Sequence, residues 1–219
     1  MSEAPLIAGV ERYYSSKLEE HGPTPEGVDW NGARGQELRF DQLLAIVGDG
    51  AEPFSIVDYG CGYGALLDRL AEQFRSFAYT GYDIAPSMVE EARRRYEGTS
   101  QAAFTSDAAE LRPADFTVAS GVLNVKLDVP VEAWRAHVLD TIGHMASLST
   151  RGFAFNALTS HADPDRKRPD LFYSDPAELL DHCLRTYSRD VALRHDYELY
   201  EFTLLVRLDG RGPAAAESL

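Results

Sequence analysis

Along most of the chain, short apolar runs alternate with stretches whose apolar residues recur every three or four positions. These are the patterns of a buried strand and an amphipathic helix. The runs predict strands at 54–59, 77–83, 102–105, 115–119 and 152–158. Between them lie helical patterns at 65–74, with apolar residues at 66, 67, 70, 71 and 74, at 87–96, and at 131–148. Pro86 and Ser87 open the second of these, and Pro176 opens a further helix at 177–185. Alternation of this kind predicts an α/β fold with a mostly parallel sheet.

Both ends depart from that rhythm. Residues 12–20 and 36–47 have helical spacing, and Gly48 and Gly50 close the second stretch. The segment between them, HGPTPEGVDWNGARG, carries two prolines and four glycines and predicts irregular structure. Near the other end, 190–195 and 200–207 read as strands joined by Asp196–Leu199. That link is too short for a crossover helix, so the pair is antiparallel and the sheet carries one reversed strand.

Within this frame, IVDYGCGYGALL at 56–67 stands out. Three glycines, Gly60, Gly62 and Gly64, separate the first strand from a helix. A glycine turn there lets backbone N–H groups and a helix N-terminus approach a ligand closely, either a phosphate or the amino-acid end of an adenosyl cofactor. The GxGxxG spacing of dinucleotide sites and the Walker pattern are both absent. Asp83 ends the second strand, where a carboxylate can accept bonds from both ribose hydroxyls. Asp107 and Ala108, after the third strand, suit an adenine edge, and Met88 suits its face. Ser120 follows the fourth strand at the carboxyl end of the sheet, where open α/β folds bind ligands.

Composition narrows the class. The 219 residues, 44% hydrophobic, suffice for one compact domain. A net charge of -14 opposes sequence-independent binding to nucleic acid. The two cysteines, Cys61 and Cys183, show neither metal-ligand spacing nor a disulfide framework, so free thiols in a reducing cytoplasm and no metal are expected. No leader-like or membrane-spanning run occurs, and no membrane partner is expected.

The motifs VDYGCGYGAL, GYDIAPSMVEEAR, FTSDAAEL and DFTVASGVLNV together resemble those of the class I S-adenosylmethionine-dependent methyltransferases, over roughly residues 37–208. The resemblance implies a Rossmann-like, doubly wound seven-stranded sheet with an antiparallel last strand. It implies S-adenosylmethionine as cofactor, held by Asp58, Gly60, Cys61, Gly62, Gly64, Asp83, Ile84, Met88, Asp107, Ala108 and Ser120. Arg39, whose planar fork matches a carboxylate, is the expected partner of the cofactor's carboxyl group. The Asn/Asp-Pro-Pro-Tyr/Phe signature of amino-methyltransferases is absent, with SGVLNV in its place. A small-molecule acceptor, methylated on oxygen or nitrogen, is therefore expected. A nicotinamide-dependent oxidoreductase and a non-catalytic cofactor-binding subunit are the alternatives.

Residues 1–36 are expected to form a lid, 37–209 the methyltransferase domain and 210–219 a disordered tail. Tyr13, Tyr14 and Trp30 of the lid, with Asn124 and Tyr173, are the expected acceptor contacts. His161, beyond the fifth strand, and His21, in the lid, are the candidate general bases. The run Arg166–Arg168 reads as a solvated loop or as a lure for an acidic substrate.

Overall fold

The computed structural model describes residues 4–30, 32–49, 53–208 and Gly212. Most of the tail expected at 210–219 therefore lies outside the described residues. Seven strands form one sheet: β1 (Phe54–Tyr59), β2 (Phe77–Tyr82), β3 (Ala102–Thr105), β4 (Ala114–Ala119), β5 (Ser149–Leu158), β6 (Asp190–Arg194) and β7 (Glu201–Arg207). Their order is β3-β2-β1-β4-β5-β7-β6. β1 to β5 are parallel wherever they pair, while β7 runs antiparallel to both β5 and β6. β7 alone is thus reversed, as the short link before it requires. Among the described residues, six helices accompany the sheet: α1 (Ala4–His21), α2 (Ala33–Leu44), α3 (Leu66–Gln73), α4 (Pro86–Arg95), α5 (Val131–Ser147) and α6 (Pro176–Thr186). No helix among the described residues is long and apolar enough to cross a membrane.

Two apolar layers flank the sheet. On one side Leu43 and Leu44 of α2 and Leu66, Leu67 and Leu70 of α3 pack with Ile56, Tyr79 and Phe116. On the other, Trp134, Val138, Ile142 and Met145 of α5 and Leu179 and Cys183 of α6 pack with Phe153, Phe155 and Phe202. The spacing of the α5 residues, three or four apart, is why this helix buries one stripe.

The N-terminal region is more ordered than its composition suggests. α1 begins well before residue 12, and α2 starts at Ala33, so the expected boundary at residue 36 falls within a helix. Between them, a 3-10 turn at Glu26–Val28 is closed by Asp29 in the left-handed region, at φ 60. Asp29 ties three segments together. Tyr13 donates to it at 2.8 Å, Lys17 lies at 3.4 Å, and Arg168, from the loop after β5, lies at 3.1 Å. Val10 of α1 is buried in the α5–α6 layer, so α1 is anchored at both ends of this contact.

Asn tolerates a positive φ as Asp does, so Asp29→Asn removes the charge while keeping the turn. Because the ion pairs are only partly buried, about 1 kcal/mol of local stability is at stake. Amide exchange along α1 is expected to accelerate roughly fivefold, with global melting nearly unchanged. Unaltered exchange in α1 would show that the apolar contact through Val10 suffices.

Candidate functional site

β1 delivers the chain to a turn that only glycines fit comfortably. Gly60, Gly62 and Gly64 have φ of 84, 53 and 83. The N–H groups of Gly60 and Cys61 both donate to the Tyr82 carbonyl, at 2.7 and 2.9 Å, which folds the turn onto the end of β2. Asp83 completes the join. One carboxylate oxygen accepts from Gly62 N–H at 2.8 Å and the other from Ala85 N–H at 2.9 Å.

Beside this turn lies a cavity of about 170 Å³. That far exceeds the ~10–15 Å³ occupied by one water, so it is a ligand-sized space rather than a packing gap. The glycine turn, Asp58, Asp83, Ile84 and Met88 line one end. Ile7, Val10 and Tyr14 of α1 and Val28 and Trp30 of the following linker contribute to its walls, as do Ser120 and Val122 after β4.

The electrostatics favour a cation. Among the described residues, no Lys or Arg lines the cavity. Burial pushes the Asp58 carboxyl up to about 7, although Tyr79 O–H donates to it at 2.7 Å and opposes the rise. Burial likewise pushes Asp83 up to about 6, against the two backbone N–H bonds. A positively charged ligand would offset the cost of ionising both groups. The same burial raises the Cys61 thiol well above its usual range, so it stays a thiol.

α5 supplies a wall that sequence reading missed. His137, Asp140, Thr141 and His144 reach the cavity together. Their spacing of three, one and three puts them on one helix face, a signal present in the segment AHVLDTIGH. Tyr59 Oη lies 3.4 Å from His144 Nδ1, and its ring packs 4.9 Å from that of Tyr82.

The expected site residues divide accordingly. Asp58, Gly60, Cys61, Gly62, Asp83, Ile84, Met88, Ser120, Tyr14 and Trp30 come together around the cavity. The others do not line it. Gly64 makes room for Tyr96 and Phe104, since a Cβ there would lie 2.8 Å from the Tyr96 ring. Asp107 accepts from Ala109 N–H at 2.9 Å and caps the short turn that Ala108 begins. Arg39 is engaged by Glu201. Tyr13 is drawn to Asp29, Asn124 accepts from Leu158 N–H at 3.0 Å, and Tyr173 Oη accepts from Arg168 N–H at 2.9 Å. His161 is exposed, 6.2 Å from the ring of His195, and His21 is exposed at the end of α1, 3.5 Å from Glu20. Neither histidine lines the cavity. Arg166 lies 3.9 Å from Asp165, Lys167 donates to the Ser160 carbonyl and Arg168 pairs with Asp170 and Asp29, so this basic run is tied to its own loop and to the N-terminal linker.

Comparison with known proteins decides the family. A family model described as a methyltransferase domain matches residues 56–143. A Mycobacterium tuberculosis relative, Rv1506c, named as a methyltransferase, is 51% identical over 157 residues, covering 72% of this chain and 95% of that protein. The chain belongs to the class I S-adenosylmethionine-dependent methyltransferases. S-adenosylmethionine is the cofactor of this family, which sets the nicotinamide alternative aside. The fold is shared with magnesium protoporphyrin IX methyltransferase from Synechocystis, at TM-score 0.66 and 21% identity over 92% of this chain and 98% of that one. It is shared too with the N-methyltransferase NodS of Bradyrhizobium japonicum, at TM-score 0.61 and 19% identity over the same shares of the two chains. The acidic cavity and glycine turn suit this methyltransferase's cofactor, whose sulfonium and ammonium are both cationic.

The raised carboxyls give a pH test. Between about pH 4, the ordinary carboxyl range, and pH 7, the folded protein binds more protons at Asp58 and Asp83 than the unfolded chain does. These groups therefore make the ligand-free protein less stable as pH rises through that window. The melting temperature is expected to fall by several degrees more from pH 5 to 7.5 in the parent than in Asp58→Asn. Parallel pH profiles would mean that Asp58 titrates normally.

Proposed function

We propose that the protein transfers a methyl group from S-adenosylmethionine to an oxygen or nitrogen of a small-molecule acceptor, in the cytoplasm. The observation that carries this reading is one cavity bounded by the glycine turn and Asp83 at one end and by α1 and α5 elsewhere. A mixed aromatic and polar cavity suits a small molecule better than a duplex or a protein surface. The similar Synechocystis enzyme is named for such an acceptor, magnesium protoporphyrin IX.

In this reading the glycine turn, with no side chain at Gly60 and Gly62, lets the methionyl end approach its backbone closely, and Asp83 accepts from the ribose hydroxyls. Ile84 and Met88 give the adenine an apolar face, with Asp107 and Ala108 at its edge, and Ser120 lies along the methionyl chain. The cofactor supplies an electrophilic methyl on sulfur. The protein's task is then to align the acceptor with the methyl–sulfur bond and to keep water out. Tyr14 and Trp30 cover the cavity, and residues 1–36 serve as its lid. Where the acceptor must lose a proton, His137 and His144 are the histidines placed to take it, in preference to His161 and His21.

Two measurements test this. Asp83→Ala is expected to weaken S-adenosylmethionine and S-adenosylhomocysteine alike, by about ten- to a hundredfold, from the loss of ~1.5–3 kcal/mol of charged hydrogen bonding. Unchanged calorimetric affinity would remove Asp83 from the ribose role. His144→Ala should keep cofactor affinity while slowing transfer by about a hundredfold, once an acceptor is found by mass spectrometry of small-molecule extracts treated with the protein and cofactor. Cofactor binding without any methylated product would favour a non-catalytic subunit.

A further inference from the structure

Three buried or half-buried polar side chains outside the cavity form a closed ring with two residues that line or adjoin it. Asn156, fully buried in β5, accepts from Gly121 N–H at 2.7 Å through its side-chain oxygen. Its side-chain nitrogen donates to Glu201 at 3.1 Å and lies 3.4 Å from Ser120 Oγ. Glu201, the first residue of β7 and 3% exposed, receives the fork of Arg39, whose Nε lies 2.8 and 3.0 Å from the two carboxylate oxygens and whose Nη2 also donates. The Arg39 guanidinium stacks over Trp30 at 4.2 Å. Trp30 closes the ring by lying against Gly121, where an added Cβ would meet the indole at 3.2 Å. Gly121 has φ 77, so both its backbone and the adjacent indole call for glycine.

The ring joins four separate pieces of chain: the root of the lid at Trp30 and α2, the start of β7, the end of β5, and the turn after β4. Two of its members or neighbours, Trp30 and Ser120, line the cavity. Charged and amide groups buried this deeply cost stability unless fully bonded, and a fully bonded network fixes one geometry. We propose that Arg39, Glu201 and Asn156 are positioning residues, which hold the Trp30 ring and the Ser120–Gly121 turn in the shape that binds the cofactor, without touching it. The inference rests on the methyltransferase reading of the cavity. It assigns Arg39 a carboxylate partner within the protein, in place of the cofactor's own carboxyl group.

The two assignments of Arg39 predict opposite behaviour on removing Glu201. If Arg39 bound the cofactor directly, Glu201→Gln would release it and leave or improve affinity. In the ring, Glu201→Gln and Arg39→Lys each weaken S-adenosylhomocysteine about tenfold, and the double variant is no weaker than either single. Calorimetry well below each variant's melting temperature gives the affinity of the folded protein, which a merely structural role would leave alone. Should the single variants fail to fold, Arg39→Gln with Glu201→Gln, which removes both charges together, and Asn156→Ser carry the same measurement. Parental affinity in the folded variants overturns the proposal. So does loss of folding in all of them, which would make the ring a core element only. Absence of S-adenosylhomocysteine binding by the parent would instead count against the methyltransferase reading.

Discussion

The site depends on one carboxylate. Asp83 receives an N–H from the glycine turn after β1 and another from the start of α4, so one side chain fixes the two loops that form one end of the cavity. The three positive-φ glycines make the turn possible, but they would leave it pliable without the hydrogen bond from Gly62 N–H to Asp83. The order of the sheet places the arrangement at its centre, with β1 between β2 and β4. Open α/β sheets reverse direction at such a point and leave a crevice at the carboxyl ends of their strands.

Enclosure then gives the crevice its electrical character. α1 crosses its mouth, held by Val10 in the apolar layer and by Tyr13 and Lys17 at Asp29. Shielding from water lifts both Asp58 and Asp83, and no Lys or Arg among the described lining residues relieves them. The cavity is thus matched to a cation before any ligand arrives, at a cost in stability of the ligand-free fold. A short turn at Ala108–Glu110 is the only helical piece described between β3 and β4. The polar stripe of α5, His137, Asp140, Thr141 and His144, lines the cavity.

Much of the framework was legible in the sequence because it rests on local causes. Alternating apolar periods gave the predicted elements of the sheet domain, within a few residues at their ends, and the short Asp196–Leu199 link sufficed to reverse β7. Gly60, Gly62, Asp83 and Met88 line one cavity because strand ends and helix starts fix where such residues stand. Tertiary packing decided the rest. Whether a histidine after a strand faces the crevice or solvent depends on how its loop folds back, and His161 faces solvent while His137 and His144 on a helix do not. The proline- and glycine-rich linker hid an ordered turn, since Asp29 draws its partners from residues 13, 17 and 168. Arg39 could be read as a carboxylate ligand from its chemistry, but only the pairing of β5 with β7 brings Glu201 and Asn156 to it. Spacing along the chain specifies which elements form; the partners of a charged side chain are set by distances that close only when those elements pack.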